Sequence, residues 1–225
     1  MLISARRTLI AGASRPLGLE AVKQCLERGD RVIATCRNPA RVPLLADLRA
    51  RYGTLELVAL DPADAASVAE VVPVLESITT SIDLLIISPG DAGPHERTGE
   101  KHEQRLDELS ATELVEHFRR HAVAPLLLVR TLMPMLREAE RARVVFVPSG
   151  RVSQGAGLAY AEDASRAALE TLVRVLAHDV AEHGVTVTFG PIVSDGNVTS
   201  HKAADVARAE LIRDLLAQND EVAAD

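Results

Sequence analysis

The stretch that decides the fold runs from Thr8 to Glu20 and reads TLIAGASRPLGLE. Its apolar first half is typical of a buried strand, and a turn bounded by Gly12 and Gly18 leads into a helical pattern. A glycine-rich turn between a first strand and a helix places backbone N–H groups where they bind phosphate oxygens. Two glycines six residues apart occur in many turns, so the meaning of this one depends on the rest of the chain.

The rest of the chain alternates short apolar runs with amphipathic stretches. Strands are predicted at Arg7–Ala11, Arg31–Thr35, Leu55–Leu60, Ile82–Ile87, Arg143–Val147 and Val185–Phe189. Helices are predicted at Leu17–Arg28, Pro39–Tyr52, Asp64–Thr79, Ser110–Glu140, Tyr160–His183 and Ala203–Gln218. Near-continuous Val, Ile and Leu in the strands are typical of strands buried on both faces. The alternation predicts a doubly wound α/β domain with a parallel sheet of about six strands.

Two residues are predicted to cap helices. Asp64 and Ser110 each precede a helical pattern, and a side-chain oxygen at that position accepts a hydrogen bond from the first turn. Glu113 follows Ser110 by three residues, which is the spacing of a capping box.

Composition limits the function classes. The chain has 225 residues, 47% of them hydrophobic, which is enough for one globular domain. A net charge of −7 and only 2% aromatic residues argue against a nucleic-acid partner. Cys25 and Cys36 lack the spacing of a zinc site, so we expect no metal and a reducing compartment. No apolar run approaches the ~20 residues of a membrane span, and no signal peptide is visible, so we expect a cytoplasmic protein without a membrane partner.

The first turn resembles the Thr-Gly-x-x-x-Gly-x-Gly turn of the short-chain dehydrogenase/reductase family. The resemblance extends from about Thr8 to about Asp195, and 164–169 reads ASRAAL where the family has Ala-Ser-Lys-Ala-Ala-Leu. It implies a single Rossmann-fold domain over 1–225, with a long loop at 90–109 and a short helical tail at 196–225. The last strand of the family is not visible.

The resemblance also implies a nicotinamide dinucleotide site. The residues that it assigns to the cofactor are Gly12, Ser14, Arg15, Leu17, Gly18, Arg37, Asp61 and Gly90. The two arginines with Ser14 resemble the family's NADP(H) pattern, because a basic group favours a ribose 2′-phosphate. Pro16 replaces the middle glycine of the family turn. It has no N–H to donate, so we expect NADP(H) to bind less tightly.

Most of the catalytic positions that the resemblance implies are replaced. The family uses Asn, Ser, Tyr and Lys, and of these only the serine is retained, as Ser149. The ASRAAL run places Arg166 at the lysine position and Glu162 at the tyrosine position. His121, four residues before Pro125, falls where the family has the asparagine. Glu162 and Arg166 are four residues apart on a helix, so we expect them to pair and the carboxylate to stay ionised. An ionised carboxylate does not donate the proton that carbonyl reduction needs, so ordinary reduction is expected to be weak or lost.

Tyr160 is the alternative proton donor. It precedes Arg166 by six residues, which is about 600° around a helix, so the two side chains point to different faces. A bulge or a loop position is needed to bring Tyr160 to the site.

Other functions stay open. Ser149, His121 and Glu162 are suited to a non-redox acid/base catalyst, such as an isomerase, cyclase or dehydratase. The halohydrin dehalogenases share the fold and use Ser, Tyr and Arg, but Glu162 departs from that pattern. A non-catalytic subunit that senses NADP(H) or binds a partner is a further option. The ligand is otherwise a small-molecule substrate, and the resemblance implies a homodimer through helices 110–140 and 160–183.

Overall fold

A computed structural model describes residues 5–88, 106–147, 160–190 and 201–221. Six strands form one sheet: β1 (Arg7–Ala11), β2 (Arg31–Cys36), β3 (Leu55–Ala59), β4 (Leu84–Ile87), β5 (Ala142–Phe146) and β6 (Val185–Phe189). All neighbouring pairs are parallel, in the order β3-β2-β1-β4-β5-β6. The predicted doubly wound sheet of about six strands is confirmed.

The register puts β1 at the centre of the sheet. Leu9 lies opposite Ile33 of β2 and Leu85 of β4, and all three side chains are buried. The strand order reverses between β1 and β4, since β2 and β3 lie on one side of β1 and the later strands on the other. In open parallel sheets a ligand binds outside the carboxyl ends of the strands at such a reversal. The turn after β1 and the residue after β4 therefore mark the expected binding edge.

Helices cover both faces of the sheet. They are α1 (Pro16–Glu27), α2 (Pro43–Arg51), α3 (Ala65–Ile78), α4 (Ala111–Phe118), α5 (Ala124–Arg137), α6 (Tyr160–Asp179) and α7 (His201–Glu221), with short 3-10 turns at Pro39–Arg41, Leu106–Glu108 and Ala181–His183. The predicted helix 39–52 is divided at Val42. That residue precedes Pro43 and has a non-helical backbone (φ −116°, ψ 89°), because a following proline disfavours the α conformation.

The predicted helix 110–140 is also not uniform. A π-helical turn, Arg119–Val123, joins α4 to α5. Of the two predicted caps, Asp64 is confirmed, because its carboxylate accepts a hydrogen bond from the N–H of Ala66 at 3.0 Å. The capping prediction at Ser110 is wrong in its chemistry, since Ser110 lies at the N-cap position without a side-chain capping bond.

Two apolar layers hold these elements together. One face of the sheet packs against side chains of α3, α5 and α6, and the other against α1, α2 and α7. Ile212, Leu215 and Leu216 of α7 are buried in the second layer. Gln24 of α1 donates to the backbone oxygen of Ala209 at 2.8 Å. The C-terminal helix is thus a packed element, which extends the predicted span 203–218 at both ends.

Several predicted features lie outside the described residues. Among them are Gly90, Ser149, most of the predicted loop 90–109, and the segment 191–200. Within the part of the chain that is described, no helix is long and apolar enough to cross a membrane. The same residues contain no group of three side chains suited to hold a metal ion.

Candidate active site at the carboxyl edge of the sheet

The first turn is shaped by close backbone contacts at its two glycines. Gly12 has φ +94°, and a side chain there would place its Cβ 2.7 Å from the backbone oxygen of Ser88. A Cβ on Gly18 would lie 2.2 Å from the backbone oxygen of Gly12. Both positions therefore require glycine, which lets the start of α1 approach β1 and β4 closely.

The start of α1 provides donors for an anion. Arg15 is the N-cap and Pro16 the first helical residue, which suits proline because the N–H it lacks has no intrahelical acceptor there. Leu17 and Gly18 follow in the first turn, where backbone N–H groups also lack intrahelical acceptors and the helix dipole favours negative charge. Their amides are the groups that could hold a phosphate at this turn.

Two predicted cofactor residues, Ser14 and Arg37, both act on the thiol of Cys36 at the end of β2. Burial raises the pKa of the Cys36 thiol, while a hydrogen bond with Ser14 and the positive charge of Arg37 act in the opposite direction. Ser14 and Arg37 are both exposed and both close to this thiol. A basic group next to a hydroxyl at this edge suits a phosphate on an adenosine ribose.

Asp61 shapes the loop after β3. Its carboxylate accepts from the N–H of Ala63 at 3.0 Å, and its own N–H donates to the hydroxyl of Ser67 at 2.9 Å. Arg119 of the π turn donates to the backbone oxygen of Ala63. This contact ties the loop that carries Asp61 to the helix that carries His121.

A histidine pair lies where α4 meets the π turn, with His117 in α4 and His121 in the π turn. The ring centroids of His117 and His121 are 4.9 Å apart. Burial, together with the charges of His117, Arg15 and Arg120, lowers the pKa of His121 to about 4. His121 is therefore uncharged at neutral pH, so it does not have the pKa near 7 that the predicted proton shuttle would need. π-helical turns within α-helices occur often at functional sites.

Helix α6 carries the residues at the predicted tyrosine and lysine positions. Nη2 of Arg166 donates to Oδ1 of Asp163, three residues earlier. The predicted pair with Glu162 is therefore wrong: both acidic residues are within reach along the helix, and the guanidinium contacts the nearer one. The backbone oxygen of Glu162 accepts from the hydroxyl of Ser165 at 3.0 Å.

Tyr160 begins α6 and is 38% exposed. The helix is continuous from this residue through Arg166, without the bulge that would bring the phenol to the same face.

Some buried polar atoms on the elements of this site have no hydrogen-bond partner in the described part of the chain. Among them are Oγ of Ser88, Nδ1 of His117 and Nη1 of Arg166. Ser88 directly follows β4 and adjoins Gly12, at the point where the strand order reverses. An unpartnered hydroxyl there fits a dinucleotide, which is rich in hydroxyl and phosphate oxygens. Sequence analysis singled out neither Ser88 nor His117. The sequence offers one weak signal for each of them. Ser88 is a polar residue directly after an apolar strand, and His117 lies one helical turn before His121.

Comparison with known proteins identifies the family. The model of the short chain dehydrogenase family matches residues 6–207. The chain belongs to the short-chain dehydrogenase/reductase family.

Individual relatives agree with this assignment. This dehydrogenase-family chain is 28% identical over 213 residues to the protein FixR of Bradyrhizobium diazoefficiens, covering 92% of the chain and 72% of the relative. It is 27% identical to an NADPH-bound carbonyl reductase from chicken fatty liver, with a TM-score of 0.72 and 90% and 88% of the two chains covered. It is 29% identical to a carbonyl reductase from Pseudomonas aeruginosa in complex with NADP, with a TM-score of 0.74 and 95% and 90% covered.

The resemblance stated from sequence, and the fold that it implied, are thus confirmed. This family member is similar to carbonyl reductases. The first turn brings together the predicted residues from Gly12 to Gly18, and Arg37 joins them at the end of β2. The roles assigned to individual site residues stay predictions, including those of Gly90 and Ser149 outside the described residues.

Proposed function

We propose that this protein is an NADP(H)-binding member of the family in which the tyrosine–lysine proton-transfer pair is replaced, so that ordinary carbonyl reduction is weak or lost. The observation that carries the proposal is the state of Arg166. It occupies the lysine position implied by the resemblance, and its guanidinium is bound to Asp163. A lysine there would be free to act on a neighbouring phenol, whereas a guanidinium stays charged and does not relay protons.

The cofactor part of the proposal rests on the first turn and the end of β2. The amides of Leu17 and Gly18 would hold the phosphates, Ser14 with Arg15 and Arg37 the ribose 2′-phosphate, and Asp61 the adenine. Pro16 removes one donor, which weakens binding without blocking the turn. When bound, the dinucleotide supplies hydride. The NADPH and NADP complexes of the similar carbonyl reductases support this choice of cofactor.

The proton-transfer part rests on what the remaining side chains can do. Glu162 is a carboxylate where a phenol is expected, and Tyr160 starts the helix on another face. His121, with its pKa lowered to about 4, holds almost no proton at neutral pH. The same low pKa makes it a weak base, which counts against the non-redox alternative through this histidine. A subunit that binds NADP(H) without turnover remains the second candidate. It is supported by the same features of Glu162, Tyr160 and His121.

The test restores the missing pair. The double variant Glu162→Tyr/Arg166→Lys should reduce a panel of aldehydes and ketones at least about tenfold faster than the parent, because a correctly placed acid contributes about 10²–10⁴-fold. Titration calorimetry with NADPH and NADH provides the binding readout, and the parent should bind NADPH more tightly. Arg174→Lys, an exposed change on the same helix, is the control and should alter neither measurement.

Two results would contradict the proposal. One is rapid NADPH consumption by the parent that is unchanged in Glu162→Gln. The other is no binding of either dinucleotide. If neither result is seen, the Ser149→Ala variant separates a weak catalyst from a binding subunit. It should abolish turnover by the catalyst and leave the binding subunit unaffected.

A further inference from the structure

Of the two terminal nitrogens of the Arg166 guanidinium, one forms a hydrogen bond to a described residue and the other does not. Its side chain is 12% exposed, and Nη2 donates to Asp163, whose own side chain is 39% exposed. Nη1 is buried and has no acceptor among the described residues. A guanidinium can form parallel hydrogen bonds to a planar anion from two N–H groups, so Nη1 of Arg166 can still donate to an oxygen atom.

Basic side chains lie on the elements that pack against the helix of this guanidinium. Helix α4 and the π turn both pack against α6, and they carry His117, His121 and Arg120. Nδ1 of His117 is also buried without a partner in the described part of the chain. The charges of Arg15 and Arg120 reach His121, whose pKa burial and these charges lower to about 4. Glu116 of α4 is bound by Arg119 and Arg120. An unused N–H donor of a guanidinium favours an anionic acceptor, because hydrogen bonds between charged groups are stronger than those between neutral groups.

Arg166 and the predicted phosphate site lie on helices that cover opposite faces of the sheet. Side chains of α1 belong to the apolar layer on one face of the sheet, and those of α6 to the layer on the other. The cofactor phosphates are expected at the start of α1. An oxyanion at Arg166 is therefore better supplied by a second ligand than by the dinucleotide, whose ribose hydroxyls are neutral.

We infer that this site takes a small-molecule substrate bearing an anionic oxygen group, a carboxylate or a phosphate, bound at Nη1 of Arg166. The inference rests on the proposed function, because it concerns the substrate of the same site. In this proposal Arg166 binds the negatively charged group of the substrate. The family has a lysine at this position, whose amine lies near the reacting oxygen.

Binding of small anions tests the inference without any need for turnover. The probes are acetate, succinate and inorganic phosphate, with acetamide and succinamide as neutral counterparts, titrated at constant ionic strength into the protein saturated with NADPH. At least one anion should bind and its neutral counterpart should not. Arg166→Met should weaken anion binding about tenfold or more, as expected for loss of a charge-assisted contact.

Arg174→Met, an exposed arginine on the same helix, is the matched control and should bind the anion as the parent does. If Arg166→Met fails to fold by circular dichroism, Arg166→Lys replaces it. That variant keeps the charge but lacks the second N–H direction, and it should also bind less tightly. Equal binding by the parent and the folded Arg166 variant, equal binding of the neutral amides, or no anion binding by the parent would each overturn the inference.

Competition identifies the source of the anion, when NADPH is added to the protein that already holds the anion. If NADPH displaces the bound anion, the oxyanion at Arg166 is a cofactor phosphate and the acidic substrate is ruled out. If NADPH does not bind at all, the proposed function fails. The same titrations on the protein alone then decide whether Arg166 binds anions, so the two failures are distinguishable.

Discussion

At the scale of single residues, Gly18 has the tightest steric requirement in the site. Its Cα lies so close to Gly12 that an added Cβ would be 2.2 Å from a backbone oxygen, which cannot move aside as a side-chain end can. We expect Gly18→Ala to push α1 away from β1 and to destabilise the protein by about 1–3 kcal/mol, the usual cost of overpacking. Urea denaturation measures the stability, and NADPH titration should show weaker binding, because the amides of the turn move with α1.

Gly53→Ala provides the matched control. Nothing lies within 4 Å of a Cβ at Gly53, and its φ is not in the left-handed region. The same change of one methyl group should alter stability there by no more than about 0.5 kcal/mol. Equal losses at Gly18 and Gly53 would show that the contact between the two turn glycines does not limit the fold.

At the scale of elements, the π turn makes stability depend on acidity. Burial lowers the pKa of His121 from 6.5 to about 4 in the folded protein, so folding opposes its protonation. Above pH 6.5 the histidine is neutral in both states and contributes nothing to this dependence. As the pH falls from 6.5 to 4 the unfolded chain takes up a proton that the folded chain does not, and stability should fall by up to about 3 kcal/mol.

Replacing the imidazole tests this assignment. His121→Asn removes the titrating group, so the loss of stability between pH 6.5 and pH 4 should become shallower in denaturant titrations at each pH. His178→Asn alters an exposed histidine of α6 and should follow the parent curve. If the His121→Asn curve remains as steep as that of the parent, other groups cause the acid sensitivity.

The elements also show what the sequence could and could not predict. The bounds of β1 and β6 were predicted to the residue, because buried parallel strands are near-continuous apolar runs between turn residues. The π turn was not predicted. It differs from an α-helix only in which carbonyl accepts the hydrogen bond of each N–H, and the residue types in the segment do not indicate this difference. The partner of Arg166 was missed for a similar reason. Acidic residues stand three and four positions before it, and spacing alone does not choose between them.

The site was harder to predict than the fold because it depends on neighbours distant in sequence. The unpartnered hydroxyl of Ser88 matters only because β4 lies beside β1 and brings it next to Gly12. The low pKa of His121 depends on burial and on the charge of Arg15, more than a hundred positions away. Sequence motifs placed the first turn correctly, whereas the electrostatics of the edge required the packed helices.

At the scale of the whole molecule, exposed apolar side chains on α4, α5 and α6 predict self-association. Val115 is 66% exposed, Phe118 43%, Leu127 38% and Val175 63%. Large apolar side chains exposed on neighbouring helices are typical of interaction surfaces. We expect a homodimer formed through helices 110–140 and 160–183, to be measured by light scattering on a sizing column at micromolar concentration. Val175→Arg should shift the population to monomers, because burying an unpaired guanidinium in an apolar contact is unfavourable.

The control for this surface is another exposed valine, which lies on a different helix. Val74 of α3 is 44% exposed, and α3 lies outside the proposed contact, so Val74→Arg should leave the dimer intact. A monomeric parent, or equal dissociation by both substitutions, would contradict the assignment. Both α4 and the π turn pack against α6. A dimer through these helices would therefore rest on the same scaffold that positions His121 and Arg166, and its dissociation should also raise the dissociation constant for NADPH.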